Sequence, residues 1–291
     1  MTNRVTTLSA MVLIAMVIST CGIALAGTLD ALPFEKKLQL AKAGDDEAQL
    51  AVGTQYQSGT GVTADTVAAA RWYRKAGDQG NLEAQFRLGR LLQEGSDTIK
   101  KNPEAAAKLY ESAARLGHHE AQNWLGYSYQ HGIGVGQNDK SAVEWYKKAA
   151  DAGLSVAQNN LGLMYLNGKG VSRDYSQAFI LFSTAAQRDD AWGLNNLGGL
   201  YEMGWGTSKD PVKALDYYKR AATKGNEHAT QNMKRLEASL SPAAVEPASS
   251  KPDKSKITSP PPPPAFVKAV EQVASPPEVP KKTVKTDTSG D

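Results

Sequence analysis

Residues 121–156 read AQNWLGYSYQHGIGVGQNDKSAVEWYKKAADAGLSV, and the same pattern returns along the chain. A small-residue pair five apart marks each copy: Ala48/Gly53, Ala84/Gly89, Ala121/Gly126, Ala157/Gly162 and Gly193/Gly198. Successive glycines lie 36, 37, 36 and 36 residues apart. A period of this length belongs to stacked helical hairpins, each too small to bury its apolar face alone. Such arrays present surfaces, because each repeat contacts only its neighbours.

The two halves of each copy differ. In the first, Ala121, Leu125 and Tyr129 fall at i, i+4 and i+8 and share one helical stripe. A small residue at Gly126 lets a neighbouring helix approach. Six residues after each repeat glycine comes another, at Gly59, Gly95, Gly132, Gly168 and Gly204, suited to a left-handed helix end. A turn follows, read in four copies as Gly-x-Gly, with Val62, Val135 and Val171 as a buried plug. A phosphate-binding reading of these glycines lacks the preceding strand and the Gly-Lys-Ser/Thr element.

The second helix opens at Asp65, Asn102, Asn138 or Asp139, Asp174 and Asp210, residues able to cap an orphan N–H. Pro103 and Pro211 follow directly, where a missing N–H costs least. The core pairs Trp72-Tyr73, Leu109-Tyr110, Trp145-Tyr146, Leu181-Phe182 and Tyr217-Tyr218 come next, then small pairs such as Ala149-Ala150. Gly80, Gly117, Gly153 and Gly225 close the helix, with Asp189 in that slot in the fourth copy. The second copy replaces Gly-x-Gly-Val by the longer GSDTIKKNP, residues 95–103, so this turn is predicted to differ.

The combination A-x-x-x-L-G-x-x-Y-x-x-G-x-G-V, then A-x-x-W-Y-x-K-A-A-x-x-G, resembles the Sel1-like repeat, a branch of the tetratricopeptide superfamily. The resemblance covers roughly Phe34 to Leu236. It implies an all-α fold, a right-handed α-solenoid of stacked helical hairpins with repeats at about 48–83, 84–120, 121–156, 157–192 and 193–228. Residues 27–47 would form a lead-in with a partial repeat helix, and 229–238 a capping helix. The family's proteins act as adaptors, or hold the external part of a sensor kinase inactive. Some cysteine-rich relatives are linked to penicillin binding or hydrolysis, but this chain lacks their paired cysteines. The alternative of a cell-wall-active enzyme or peptidoglycan-binding protein rests on that link.

In the resembled superfamily the first helices line a concave groove. Carried onto matching positions, the groove receives Asn123, Asn159 and Asn195 as a row of amides, with Tyr127, Gln130, His131, Leu163 and Asn167. An amide both donates and accepts, so such a row suits an extended polypeptide. The same asparagines could instead fill solvated positions or bond a neighbouring repeat. Tyr127 and His131, four apart on one helix, join apolar area to polar tips.

Catalytic chemistry has no motif here: neither a nucleophile elbow nor a metal-protease helix is present, and the four histidines are not spaced for one ion. No catalytic residue, metal or cofactor is therefore expected, and the protein is read as a non-enzyme. The 33 basic and 30 acidic residues intermingle at a net charge of +3, without a stripe for nucleic acid.

The ends have their own composition. Residues 1–26 carry Arg4, the apolar run Met11–Ile18 and then Ala24-Leu25-Ala26, the order of a secretory signal peptide cleaved after Ala26. Leu8–Ala26 is also about long enough for an uncleaved anchor. Cys21, the sole cysteine, sits in a loose lipobox with Thr20 in place of the usual small residue. A periplasmic or secreted protein is expected, or a membrane-anchored one facing the periplasm if the leader is retained or Cys21 lipidated. Residues 239–291 hold 11 of the 14 prolines, including Pro260–Pro264, and form a tail expected to be disordered. The tail reads as a spacer or a docking segment.

Overall fold

The computed structural model describes residues 29–240. The leader with Cys21 and nearly all of the proline-rich tail lie outside the described residues. Within them are twelve helices and no strand: α1 Phe34–Ala43, α2 Asp46–Ser58, α3 Thr66–Asp78, α4 Leu82–Glu94, α5 Pro103–Arg115, α6 His119–His131, α7 Asp139–Asp151, α8 Ser155–Asn167, α9 Tyr175–Gln187, α10 Ala191–Met203, α11 Pro211–Thr223 and α12 Glu227–Leu240. Each first helix begins two residues before the small residue that marks its repeat. The partial helix α1 falls inside the lead-in, and the cap α12 is longer at both ends than 229–238. The contacts divide the chain into two units, residues 1–113 and 114–291.

Capping follows the side-chain chemistry. Asp65, Asn102, Asn138 and Asp210 each accept the backbone N–H three residues on, at 2.9 to 3.1 Å, and Asp174 accepts those of Ser176 and Gln177. The choice at α7 thus falls to Asn138. His118 caps α6, its Nδ1 accepting the Ala121 N–H at 3.1 Å. Gly59, Gly132, Gly168 and Gly204 end their helices in the left-handed region. Gly95 departs, with φ 68° and ψ 177°, and Ser96 and Ile99 then bond each other's main chain. The longer turn thereby buries Ile99 among Tyr73, Leu88 and Leu91.

Each repeat glycine is a seat for a ring. A Cβ at Gly53, Gly89, Gly126, Gly162 or Gly198 would come within 2.5 to 2.9 Å of Tyr73, Tyr110, Tyr146, Phe182 or Tyr218. Those five rings are wholly buried, 0% exposed in every case. The hairpin therefore closes by a ring lying flat on a helix backbone, which any side chain at the glycine would obstruct. The turn valines are less covered than a plug would be: Val62, Val135 and Val171 are half-buried.

In the first unit, Ala41, Ala48 and Val52 join α1 to α2, and a larger cluster runs from Ala69 to Ile99. In the second, one cluster gathers Tyr146, Leu161 and Met164. A second gathers Phe182, Leu194, Leu197 and Leu200, and a third closes on Tyr218 and Leu236. The last shows α12 covering the apolar end of the stack, as a terminal repeat element must.

Candidate binding surface

Candidate groove residues on α6, α8 and α10 belong to the second unit. Asn123, Asn159 and Asn195 are 2%, 0% and 1% exposed, so they present no row of open amides. Asn160 Nδ2 donates to Asn123 Oδ1 at 3.0 Å, Asn196 Nδ2 to Asn159 Oδ1 at 2.8 Å, and Asn232 Nδ2 to Asn195 Oδ1 at 3.0 Å. Each pair spans 37 residues, one repeat plus one position. The ladder stitches α6 to α8, α8 to α10 and α10 to α12. A buried amide must find a partner, and the adjoining repeat supplies it where a ligand was pictured. Asn195 Nδ2 also donates to Asn196 Oδ1 at 3.1 Å, whereas Asn159 Nδ2 is left without a partner.

Two further groove candidates are engaged by the fold, Gln130 half-buried and Leu163 buried. Gln130 Oε1 accepts the buried Tyr146 hydroxyl at 2.8 Å, and Leu163 lies in the core with Leu166 and Phe182. The same bond recurs as Tyr73 to Gln57 at 2.7 Å and Tyr218 to Glu202 at 2.9 Å. In the fourth repeat, Leu166 takes the acceptor's place, and the ring there is Phe182, which has no hydroxyl to satisfy.

Three candidates keep a solvent-facing side. The Tyr127 and His131 rings are half-buried with centroids 4.3 Å apart, and Trp124 meets Tyr127 edge-on at 5.8 Å. Asn167 is exposed and donates to the Leu163 carbonyl at 2.8 Å. Trp124 is itself buried, so it braces the pair from beneath.

Sequence reasoning missed Asn160, Asn196 and the partnership of Asn232. The doublets Asn159-Asn160 and Asn195-Asn196 carried the signal. It also missed Arg235, whose guanidinium grips both Glu202 oxygens at 2.6 Å, beside the Tyr218 hydroxyl. Burial, then the Glu202 charge, holds the Tyr218 hydroxyl far above its usual range, so it stays protonated and donates. The Glu202 hydrogen bond raises the Arg235 guanidinium further.

Among the described residues no group of three or more His, Cys, Asp or Glu side chains is arranged to hold a metal ion. No helix among them is long and apolar enough to cross a membrane.

The Sel1 repeat model matches residues 46–81, 82–118, 119–154, 155–190 and 193–226. The chain belongs to the Sel1 repeat family. Its fold is similar to that of c5321, a protective antigen of uropathogenic Escherichia coli with an SLR fold, at 32% identity and a TM-score of 0.66, covering 70% of this chain and 44% of that one. A Sel1 repeat protein from Oxalobacter formigenes is similar at 31% identity and a TM-score of 0.64, over 70% of this chain and 87% of that one. Protein sel-1 homolog 2 of Rattus norvegicus is 40% identical over 67 residues, 23% of this chain. The chain thus spans under half of c5321 and a tenth of the rat protein. Repeats of this family make a protein-interaction fold.

Proposed function

We propose that this protein is an exported Sel1 repeat adaptor that binds a polypeptide partner through the face formed by the first helices of its second unit. It would work without catalysis, by recruitment in envelope assembly or by sequestering a signalling component such as the external part of a sensor kinase. The observation that carries the reading is the Tyr127–His131 ring pair, braced by buried Trp124 yet open on one side. A tyrosine ring on a firm support is among the side chains that anchor protein interfaces, and here the His131 ring backs it. Asn167, exposed on α8, supplies a polar neighbour.

The leader supports export to the periplasm or beyond, with membrane attachment only if it is retained or Cys21 is lipidated. N-terminal analysis of the mature protein tests this. For the binding face, Tyr127→Ala with His131→Ala should leave the melting curve close to that of the parent while reducing a specific partner's recovery after cross-linking in cells. Undiminished recovery would overturn the assignment of this face. Hydrolysis of muropeptides or of a β-lactam reporter by the purified chain would overturn the adaptor reading itself.

A further inference from the structure

The first unit contains a cavity of about 480 Å³ between the start of the described chain, α2 and Arg87 of α4. This volume lies in the range of small-molecule sites, about 300–1,000 Å³. Leu29, Leu50 and Ala51 form an apolar wall, and Asp30, Lys37 and Glu47 bring charge to it.

Lys37 is the unusual member. It is 6% exposed, and lysine is almost never that deeply buried without a partner. Its ammonium has three donors but, among the described residues, gives one hydrogen bond, to the Asp30 main-chain oxygen at 3.2 Å. Among the described residues no carboxylate oxygen comes within 4.0 Å of it. A buried charge left in this state is costly, and an anionic oxygen delivered by a ligand would relieve it.

The carboxylates face the opposite need. Asp45 is committed to capping α2, through the Ala48 N–H at 2.7 Å, and Arg87 to Glu83 at 2.5 Å. Glu47 is held by Asn81 Nδ2 at 3.0 Å. Its carboxyl is pushed up by burial and then by the charge of Asp46, so a cation beside it would be welcome. The lining charges without an ion pair among the described residues are thus the Lys37 ammonium and the Asp30 and Glu47 carboxylates, beside an apolar wall.

We propose that this cavity binds a zwitterionic amino acid or short peptide, its carboxylate on Lys37, its ammonium toward Glu47 and its side chain against Leu29, Leu50 and Ala51. The site is built wholly in the first unit and does not depend on the Tyr127–His131 face, so failure of either reading is separable from the other.

Calorimetric titration of the full chain with Ala-Leu, its C-terminal amide, its N-acetyl derivative and free leucine tests the site. Saturable binding of Ala-Leu is expected, weakened about tenfold or more when either charge is removed, as loss of a charge-assisted hydrogen bond implies. Matching binding by leucine assigns free amino acids; its absence assigns peptide ends. Lys37→Met should abolish binding while the melting temperature of the unliganded protein holds or rises, which a merely structural lysine would not produce. Glu47→Gln, at an exposed position, should erase the preference for a free ammonium. Equal binding of the acid and the amide, or no saturation by any probe, would overturn the proposal.

Discussion

Changing Gln130 to leucine removes the acceptor of a hydroxyl that has no route to water, since Tyr146 is 0% exposed. The loss should be about 1–3 kcal/mol, the usual penalty for an orphaned buried group, read by denaturant melts. Adding Tyr146→Phe should restore most of it, because the pair then reproduces Leu166 and Phe182 of the fourth repeat. A double-mutant cycle without coupling would refute this account. The asparagine ladder behaves alike: Asn196→Leu leaves Asn159 Oδ1 without its 2.8 Å donor, and a loss of similar size is expected. Asn159→Ala with Asn195→Ala, a pair that would probe a groove of open amides, should instead act on stability. The residue-level site was only partly legible, because helical periodicity assigns a side chain to a face without saying what covers it. Tyr127, His131 and Asn167 kept a solvent-facing side; Asn123, Asn159 and Asn195 were taken up by neighbouring repeats, Leu163 by the core, and half-buried Gln130 by Tyr146 of its own hairpin.

At the scale of the element, hairpin closure depends on one absent side chain. Gly162→Ala would place a Cβ 2.5 Å from the Phe182 ring. Alanine favours a helix by about 1 kcal/mol over glycine, while overpacking costs about 1–3 kcal/mol. A net loss of up to about 2 kcal/mol should appear in thermal unfolding, and a stabilised variant would show that the ring can shift. The junction before α10 has a different character. Asp189 holds φ 64° where the other repeats use glycine, and its carboxylate is lowered by hydrogen bonding to Lys224 and then Arg220. Next to it, Asp190 caps α10 through the Trp192 and Gly193 N–H groups, at 3.1 and 2.8 Å, yet burial raises its carboxyl above the usual value. A raised acid favours the folded state only while protonated, so its stabilising share is present below the unfolded pKa and lost as pH rises through the folded one. Asp190→Asn keeps the cap and removes that loss. It should melt higher than the parent at neutral pH, and the gap should shrink toward the ordinary carboxylate range. The second-helix caps Asp65, Asn102, Asp174 and Asp210 were readable because they act locally, within three residues, whereas the Asp190 cap was not read. The remodelled turn at Gly95 was readable as an interruption of the period, whereas the burial of Ile99 within it was not.

For the whole molecule, stacking makes stability a sum over neighbours, and α12 supplies the last neighbour through Leu236 and the Arg235–Glu202 pair. Residues 241–291 are rich in proline and charge, and we propose that they add nothing to that sum. Removing them should leave the thermal unfolding of residues 29–240 unchanged; a marked drop in melting temperature would assign them a packing role. The sequence by itself determined the helices, the starts of the second helices and the pairing into hairpins, because caps, turn glycines and apolar periodicity act over a few residues. It also determined the Sel1 repeat, whose motif recurs in phase five times. Only the tertiary structure decided which polar groups were free. Asn123 meets Asn160, Asn159 meets Asn196 and Asn195 meets Asn232 through the rotation of one repeat on the next, which no single repeat encodes. The same stacking left Lys37 buried beside a cavity with one hydrogen bond among the described residues, because helix-to-helix burial strips water from whatever charge lies in the seam.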